Sequence, residues 1–405
     1  MFSQVHVCLR SSRLQPVGSA AQESQASSID SWDSGSQKWV PDPPNSTIEL
    51  LPEQMTGVGR CVARIIESLA RRQTIALFSM VTRDDLRVMR QIETLHGGLV
   101  IHLGPHNVPE PGLDITTWRD RVLALPTQPF DASLAARSGG VYTFRRSRKK
   151  RFAREVSVYY DLTALLTPQT HKGQTRRDFY ELATSMAPLD DHALAISRCT
   201  MRDMVWLCGL PKERVHWAHL GPSQCVHGHA SLKPVQRNPN LFLAVSTLEP
   251  RKNPENLLRW FLTSPNLPAD AQLVWAGPSG WLIDQSKLPK ATGNRTVTFP
   301  GMVSDARLCE LYRQARCLVY VSLYEGFGFP VLDALLHGTP VICSGNSSML
   351  EFAGPGVHLC DPLDIQSIDE AWQTCAAEPA GWSRADLAES CTWDNVARQL
   401  TRLAA

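Results

Sequence analysis

Short apolar runs recur along the chain, separated by stretches whose apolar residues fall at helical spacing, and this alternation predicts a parallel α/β architecture. Val5-His-Val-Cys-Leu9 reads as an opening strand. Residues 11–47 are rich in Ser, Gln and Pro and poor in large aliphatic side chains, so they read as a mobile insert. The pattern resumes at Thr47-Ile-Glu-Leu-Leu51 and at the turn Met55-Thr-Gly-Val-Gly-Arg60, which feeds a helix with Val62, Ile65, Ile66 and Leu69 on one face. Buried strands are predicted over 74–78 and 98–102 with a helix over 83–95 between them, an order that implies parallel pairing. Strands over 156–160 and 192–196, with a helix over 176–186, continue the series.

Beyond Val215-His-Trp-Ala-His219 the periodicity is lost, and Gly, Pro, Ser and Gln mark a linker. A second series then begins. Strands are predicted over 241–245, 272–275, 296–299, 317–321 and 340–343, alternating with helices over 254–263, 305–315, 330–337 and 347–353. Val396, Leu400 and Leu403 then share one face of a closing helix that packs across the molecule. The fold class expected is therefore α/β, with two Rossmann-like, doubly wound parallel-sheet domains facing a cleft. They cover residues 1–222 and 241–390, joined by a linker over 223–240 and followed by the helical segment 391–405.

Composition agrees with two domains, because 405 residues exceed the size at which one core usually keeps growing. Hydrophobic content of 43% with 20% charged residues excludes general disorder, and a net charge of +2 gives no overall case for nucleic acid. The 11 cysteines are scattered without a C-x-x-C pair, which suits a reducing cytoplasm. There is no run of 18 apolar residues, and the first ten residues are too short and polar for a secretory h-region, so a cytoplasmic location is expected. One segment, Phe144-Arg-Arg-Ser-Arg-Lys-Lys-Arg-Phe-Ala-Arg154, concentrates cations with no acid. It reads as a solvated face, or as a peripheral contact with the anionic inner leaflet of a membrane. No metal constellation is apparent: Asp84-Asp85 and Asp190-Asp191 are adjacent pairs, and His216 with His219 lacks zinc-site company.

The richest stretch chemically is Glu325-Gly-Phe-Gly-Phe-Pro-Val-Leu-Asp333, which follows the apolar run 317–322 and precedes a helical pattern. Strand, turn and helix in that order put Gly326, Phe327 and Gly328 at a helix N-terminus, where free amides and the dipole favour phosphate. Two carboxylates beside a phosphate must face something uncharged, and sugar hydroxyls meet that need. Glu249-Pro-Arg-Lys-Asn253 follows the first strand of the second half, so Arg251 and Lys252 lie at a strand's carboxyl end. Ligands of open parallel sheets bind there, and paired cations would take up charge building on a diphosphate.

Val245 to Asn253, Leu273-Val-Trp-Ala-Gly277, Phe299-Pro-Gly-Met-Val303 and Glu325 to Asp333 resemble, in order and spacing, the retaining GT-B glycosyltransferases of family 4 (group 1), including bacterial mannosyl- and glucosyltransferases. The resemblance covers nearly all of residues 240–400. It implies a metal-independent hexosyltransferase with no cofactor beyond its substrate, a GDP- or UDP-linked sugar, GDP-mannose being favoured. It also implies the roles of single residues. Glu325, Arg251 and Lys252 would be catalytic, with Gly326, Phe327, Gly328, Asp333, Gly301 and Val303 on the donor, Asp333 standing where the family usually has glutamate against the ribose. In the first half, Gly57 and Gly59 resemble the family's T-G-[IV]-G-R turn, which lies near donor phosphates or acceptor. Tyr159-Tyr-Asp-Leu-Thr163 with Pro168 and His171 resembles its H-D-L and P-x-x-H segments, with Tyr160 in place of a histidine. Asp161 and His171 would therefore touch the acceptor, a saccharide or lipid-linked saccharide. Two other readings stay open: a degenerate nucleotide-sugar-binding or scaffold protein, which Asp333 and Tyr160 keep in play, and a nucleotide-sugar epimerase.

Overall fold

The computed structural model describes residues 5–9, 57–79, 99–110, 113, 115–129, 132–143, 146, 150, 152–223, 236–379 and 381–405. The expected insert over 11–47, the segment 47–51 and the helix over 83–95 lie outside them. Among the described residues the first sheet has eight strands: β1 (Val5–Leu9), β2 (Ile75–Ser79), β3 (Leu99–Leu103), β4 (Thr127–Pro129), β5 (Gly139–Tyr142), β6 (Arg154–Tyr159), β7 (His192–Ala195) and β8 (Val215–Trp217). Their spatial order is β4-β3-β2-β1-β5-β6-β7-β8. The second sheet holds β9 (Leu241–Val245), β10 (Gln272–Ala276), β11 (Ala291–Thr292), β12 (Arg295–Gly301), β13 (Cys317–Tyr320), β14 (Val341–Ser344) and β15 (Val357–Cys360), in the order β11-β12-β10-β9-β13-β14-β15. Both sheets are mostly parallel and flanked by helices, the expected α/β arrangement.

One pairing differs from expectation. β2 and β3 run antiparallel, in the register Ile75 with Leu103 and Phe78 with Val100, and β4 pairs antiparallel with β3 in turn. Apolar periodicity reports that a strand is buried, but the direction of its neighbour depends on where the connection re-enters the sheet. The expected helix over 347–353 is a 3-10 segment, Ser347–Phe352, and the one over 176–186 begins at Gly173 and passes into a π-helical turn at Leu182–Met186.

Local chemistry explains the elements that matter for the site. Every residue of β13 and β14 is buried, as befits central strands covered on both faces. Helix α1 (Gly57–Arg72) buries Val62, Ile65, Ile66 and Leu69 in the core between the halves. Helix α2 (Arg198–Leu207) opens at Ser197, whose hydroxyl accepts from Thr200 N at 3.0 Å. Helix α3 (Pro254–Thr263) has proline in its first turn and buries Leu257, Leu258, Trp260 and Phe261. Helix α4 (Asp305–Gln314) is capped by Ser304, and helix α5 (Phe329–Leu336) starts after Gly328.

The closing helix α6 (Trp393–Ala404) leaves the second sheet and packs on the first. At Gly139 in β5 a Cβ would come within 2.1 Å of the Ala404 carbonyl oxygen, so glycine is what lets strand and helix meet. Trp393 Nε1 donates to Pro222 O at 3.0 Å, and Arg72 pairs with Asp394 at 2.8 Å. The basic stretch 144–154 is divided by the fold. Arg146 points inward, buried against Glu155 and against Asp190 at 2.6 Å, while Lys150 is exposed and meets Asp191 at 2.7 Å. Asp190 also accepts from the hydroxyls of Ser157 and Tyr159, so Arg146 serves the interior of the sheet. Residues 144, 145, 147–149 and 151 lie outside the described residues. Among the described residues, no helix is long and apolar enough to cross a membrane.

Candidate active site

β9 and β13 are neighbours at the point where strand order reverses, with β10 and β12 to one side and β14 and β15 to the other. The carboxyl ends of strands flanking such a reversal form a crevice. Beyond β9 the chain turns through a 3-10 segment, Pro250–Lys252, into Asn253 at φ 55° and ψ 47°. That left-handed residue is held by its own amide, which donates to Val321 O at 3.1 Å and Pro362 O at 2.6 Å. The turn is thereby fixed to the end of β13, and its cations face the loop that leaves that strand.

Arg251 Nη1 lies 2.8 Å from Glu325 Oε2, and Lys252 Nζ lies 2.5 Å from Glu325 Oε1. Arg251 also donates to Glu249 Oε1 at 2.7 Å and to Tyr324 O at 2.9 Å. Lys252 Nζ donates to the Tyr320 hydroxyl at 2.8 Å, and that hydroxyl lies 3.0 Å from Glu325 Oε1. Glu325 N donates to Ser347 Oγ at 3.0 Å, and Ser348 Oγ donates to the carbonyls of Glu325 and Phe327, each at 2.9 Å. The three sequence-predicted catalytic side chains form one cluster, Glu325 buried and Arg251 and Lys252 mostly so. Gly328, at φ +107°, adopts a conformation that disfavours any side chain and delivers the chain into α5. The Phe327 ring turns away into the core, against Phe329 at 5.2 Å and Phe352 at 5.4 Å between centroids, so only its backbone faces the turn.

The electrostatics reflect burial and pairing. Burial pushes the Glu325 carboxyl up, but Arg251 and then Lys252 outweigh it and hold it at about 2. Burial and the neighbouring Arg251 lower the Lys252 ammonium, against the pull of Glu325 and Glu249. Burial also lowers Arg251, yet Glu325, Glu249 and Asp161 more than reverse this, so it stays a cation. Glu249 is raised by burial, with Arg251 and Lys252 opposing, and among the described residues its Oε2 has no hydrogen-bond partner. Two cations and two carboxylates thus share a nearly dry space.

The first half closes over this cluster. A Cβ at Gly326 would lie 2.0 Å from the Tyr160 carbonyl oxygen and 2.7 Å from Asp161 Cβ, and Thr200 Oγ1 donates to Gly326 O at 3.3 Å. Tyr160, in place of the expected histidine, buries its ring and donates its hydroxyl to Thr143 O at 2.7 Å. Asp161 Oδ1 caps the next turn, accepting from Thr163 N at 2.9 Å and Thr163 Oγ1 at 2.6 Å. His171 is 9% exposed, and neither ring nitrogen has a hydrogen-bond partner among the described residues. Burial and the Arg251 charge lower its imidazole, so it is neutral near pH 7. Trp281 stands beside it, 6.1 Å between ring centroids, and donates Nε1 to Thr170 O at 2.9 Å.

The remaining predicted donor residues lie on other elements: α1, the end of β12 with the loop after it, and α5. Asp333 Oδ1 accepts from Ser223 N at 2.9 Å, and burial pushes its carboxyl up to about 6, against Ser223 and Arg60. Nearby, Arg60 makes a two-pronged pair with Asp305, at 2.7 and 3.0 Å. Gly57 and Gly59 occupy the first turn of α1, within a turn of Arg60. Gly301 ends β12 at φ +74° with no atom within 4 Å of a Cβ, and Val303 packs against the central core. Sequence reading missed Tyr320, Tyr324, Ser347 and Trp281. Tyr320 belongs to a fully buried strand and reads as core, and only the fold brings Ser347 and Trp281 beside residues far away in the chain.

Residues 232–389 match the family described as Glycosyl transferases group 1. The O-antigen chain mannosyltransferase B of Escherichia coli is 27% identical over 271 residues, covering 62% of this chain and 69% of that protein. The serotype-specific mannosyltransferase WbdA of Escherichia coli is 26% identical over 264 residues, 60% of this chain but only 32% of WbdA. Among solved structures, Anabaena HepE in complex with UDP and glucose aligns over 86% of this chain and 94% of its own, at 15% identity and a TM-score of 0.49.

Proposed function

Starting from the glycosyltransferase group 1 domain that residues 232–389 carry, we propose that this chain moves a hexose, mannose in our reading, from a nucleoside diphosphate sugar to a saccharide hydroxyl with retention of anomeric configuration. Similarity to two mannosyltransferases supports the choice of sugar, and GDP is favoured over UDP for the same reason. The observation that carries the proposal is the convergence of Arg251 and Lys252 on Glu325 at the strand reversal, beside the N-terminus of α5.

The donor diphosphate would lie against Arg251, Lys252 and the amides of the Gly326–Gly328 turn, competing with Glu325 for the two cations. Released from them, Glu325 would accept hydrogen bonds from the hexose hydroxyls. As the bond to the anomeric carbon breaks, the cations take up the charge growing on the leaving phosphate, help worth several kcal/mol where water is excluded. The departing phosphate oxygen takes the acceptor proton on the same face, while neutral His171 orients the acceptor hydroxyl. Asp333 would bind the ribose, and contact between the halves at Gly326 limits loss of the hexose to water. In a thermal-melt comparison, GDP should raise the melting temperature more than UDP, and Lys252→Ala should remove most of that rise. Equal shifts would refute the base assignment, and an unchanged Lys252→Ala response would refute the diphosphate site.

A further inference from the structure

We infer that the acceptor is an uncharged saccharide chain, and that it lies in a cleft walled mainly by the second half, at the carboxyl ends of β14 and β15. This rests on the transferase reading above. The cleft has a volume of about 610 Å³, inside the roughly 300–1,000 Å³ range of small-molecule sites. Residues 345–346 and 359–363 form one side, and Thr167 and Gln169 of the first half form the other.

Its position ties it to the reacting centre. Leu323, at its inner edge, donates its N–H to Arg251 O at 2.8 Å and accepts from Asn346 Nδ2 at 3.1 Å. Asn346 precedes Ser347, the residue that takes the Glu325 N–H. On the facing side Gln169 is two residues from His171, whose buried ring nitrogens have no partner among the described residues. A chain lying in the cleft would therefore bring its end between His171 and the Arg251–Glu325 pair.

Its lining states what chemistry it takes. Among the described residues, no lysine, arginine or histidine lines it, and Asp361 is the one charged group. A phosphate there would meet no cation and one carboxylate. Beside Gly345, Cys360 and Pro362 the rest is side-chain amide, hydroxyl and leucine, and Leu359 and Leu363 are 39% and 70% exposed, large apolar surface left bare along the groove. Pyranose rings present C–H faces to such leucines and hydroxyls to the amides of Gln169 and Asn346 and to Asp361. Asp361 Oδ1 takes the Leu363 N–H at 2.9 Å, which fixes the loop carrying both residues.

The test uses the full chain with a nucleoside diphosphate mannose and, in parallel, an uncharged manno-oligosaccharide or mannose 6-phosphate as acceptor. Leu363→Lys and Gln169→Ala change exposed side chains, so melting temperature and slow donor hydrolysis should stay at wild-type values. The oligosaccharide should be the better acceptor, and each variant should raise its KM about tenfold. Saturation-transfer NMR without donor should show the oligosaccharide binding wild type and weakening in Leu363→Lys. Preference for the sugar phosphate, unchanged KM in both variants, or no oligosaccharide binding by NMR would overturn the inference. Persistent donor hydrolysis alongside any of these would leave the transferase reading standing.

Discussion

Asp333 and Glu325 are both buried carboxylates, and their neighbours drive them in opposite directions. Asp333 is raised to about 6 from 3.8 because burial outweighs Ser223 and Arg60, so its contribution to stability is complete below 3.8 and is lost as pH rises through 6. Asp333→Asn keeps an acceptor for the Ser223 N–H and should add up to about 2 kcal/mol of stability near pH 7, a gain that vanishes in acid melts. If ionised Asp333 grips the ribose, the same change should weaken nucleotide binding. Glu325 is lowered from 4.5 to about 2, so its contribution is present above 4.5 and is lost only as pH falls toward 2. Glu325→Gln should cost about 3 kcal/mol, because two buried cations lose a partner. Added nucleoside diphosphate should then restore stability more in the variant than in wild type, since phosphate replaces the missing carboxylate. Equal ligand-induced melting shifts in the two proteins would contradict competition between Glu325 and diphosphate.

The contacts between the halves are made by element ends. Glu351 accepts from Arg198 N at 3.1 Å and Cys199 N at 2.8 Å, so one half caps the helix N-terminus of the other, and His219 Nε2 lies 2.7 Å away. Glu351→Ala should cost about 1–2 kcal/mol and speed amide exchange at residues 198–201, measured by mass spectrometry. Gly326→Ala would drive a Cβ into the Tyr160 carbonyl and should abolish turnover by separating the halves, a loss read directly as kcat. Much of this level was legible beforehand: helix 254–263, the strand from 241 to 245 and the strand-turn-helix at Glu325 lie where periodicity and glycine placed them. The strand Val357–Cys360 was missed because its burial is uneven, and β5 because Gly139 and Gly140 carry no apolar side chain. The antiparallel β2–β3 pair could not be read, since direction is set by a connection rather than by either strand's own pattern.

Across the whole molecule, the last helix ties the two halves, packing on the first sheet while Trp393 stacks on Phe329 of α5. Helix α6 covers β5, β6 and β7 and packs beside α1, burying Trp393, Val396, Ala397, Leu400 and Leu403. Removing residues 391–405 should expose that apolar face of the first sheet, and light scattering should report aggregation where the full chain stays dispersed. The candidate site is likewise a property of the assembled molecule. The sequence pattern named Arg251, Lys252, Glu325 and His171, but the Tyr320 hydroxyl, Trp281 and the Glu351 cap reach their partners only through folding over distances that periodicity does not register. Hexose transfer from a nucleoside diphosphate mannose to an uncharged manno-oligosaccharide, compared between wild type and Lys252→Ala, puts the transferase reading to its plainest trial. One nucleoside diphosphate should be released per hexose transferred, with kcat/KM lower in the variant by on the order of 10². Nucleotide binding without transfer from any nucleoside diphosphate hexose, or a variant as active as wild type, would contradict it.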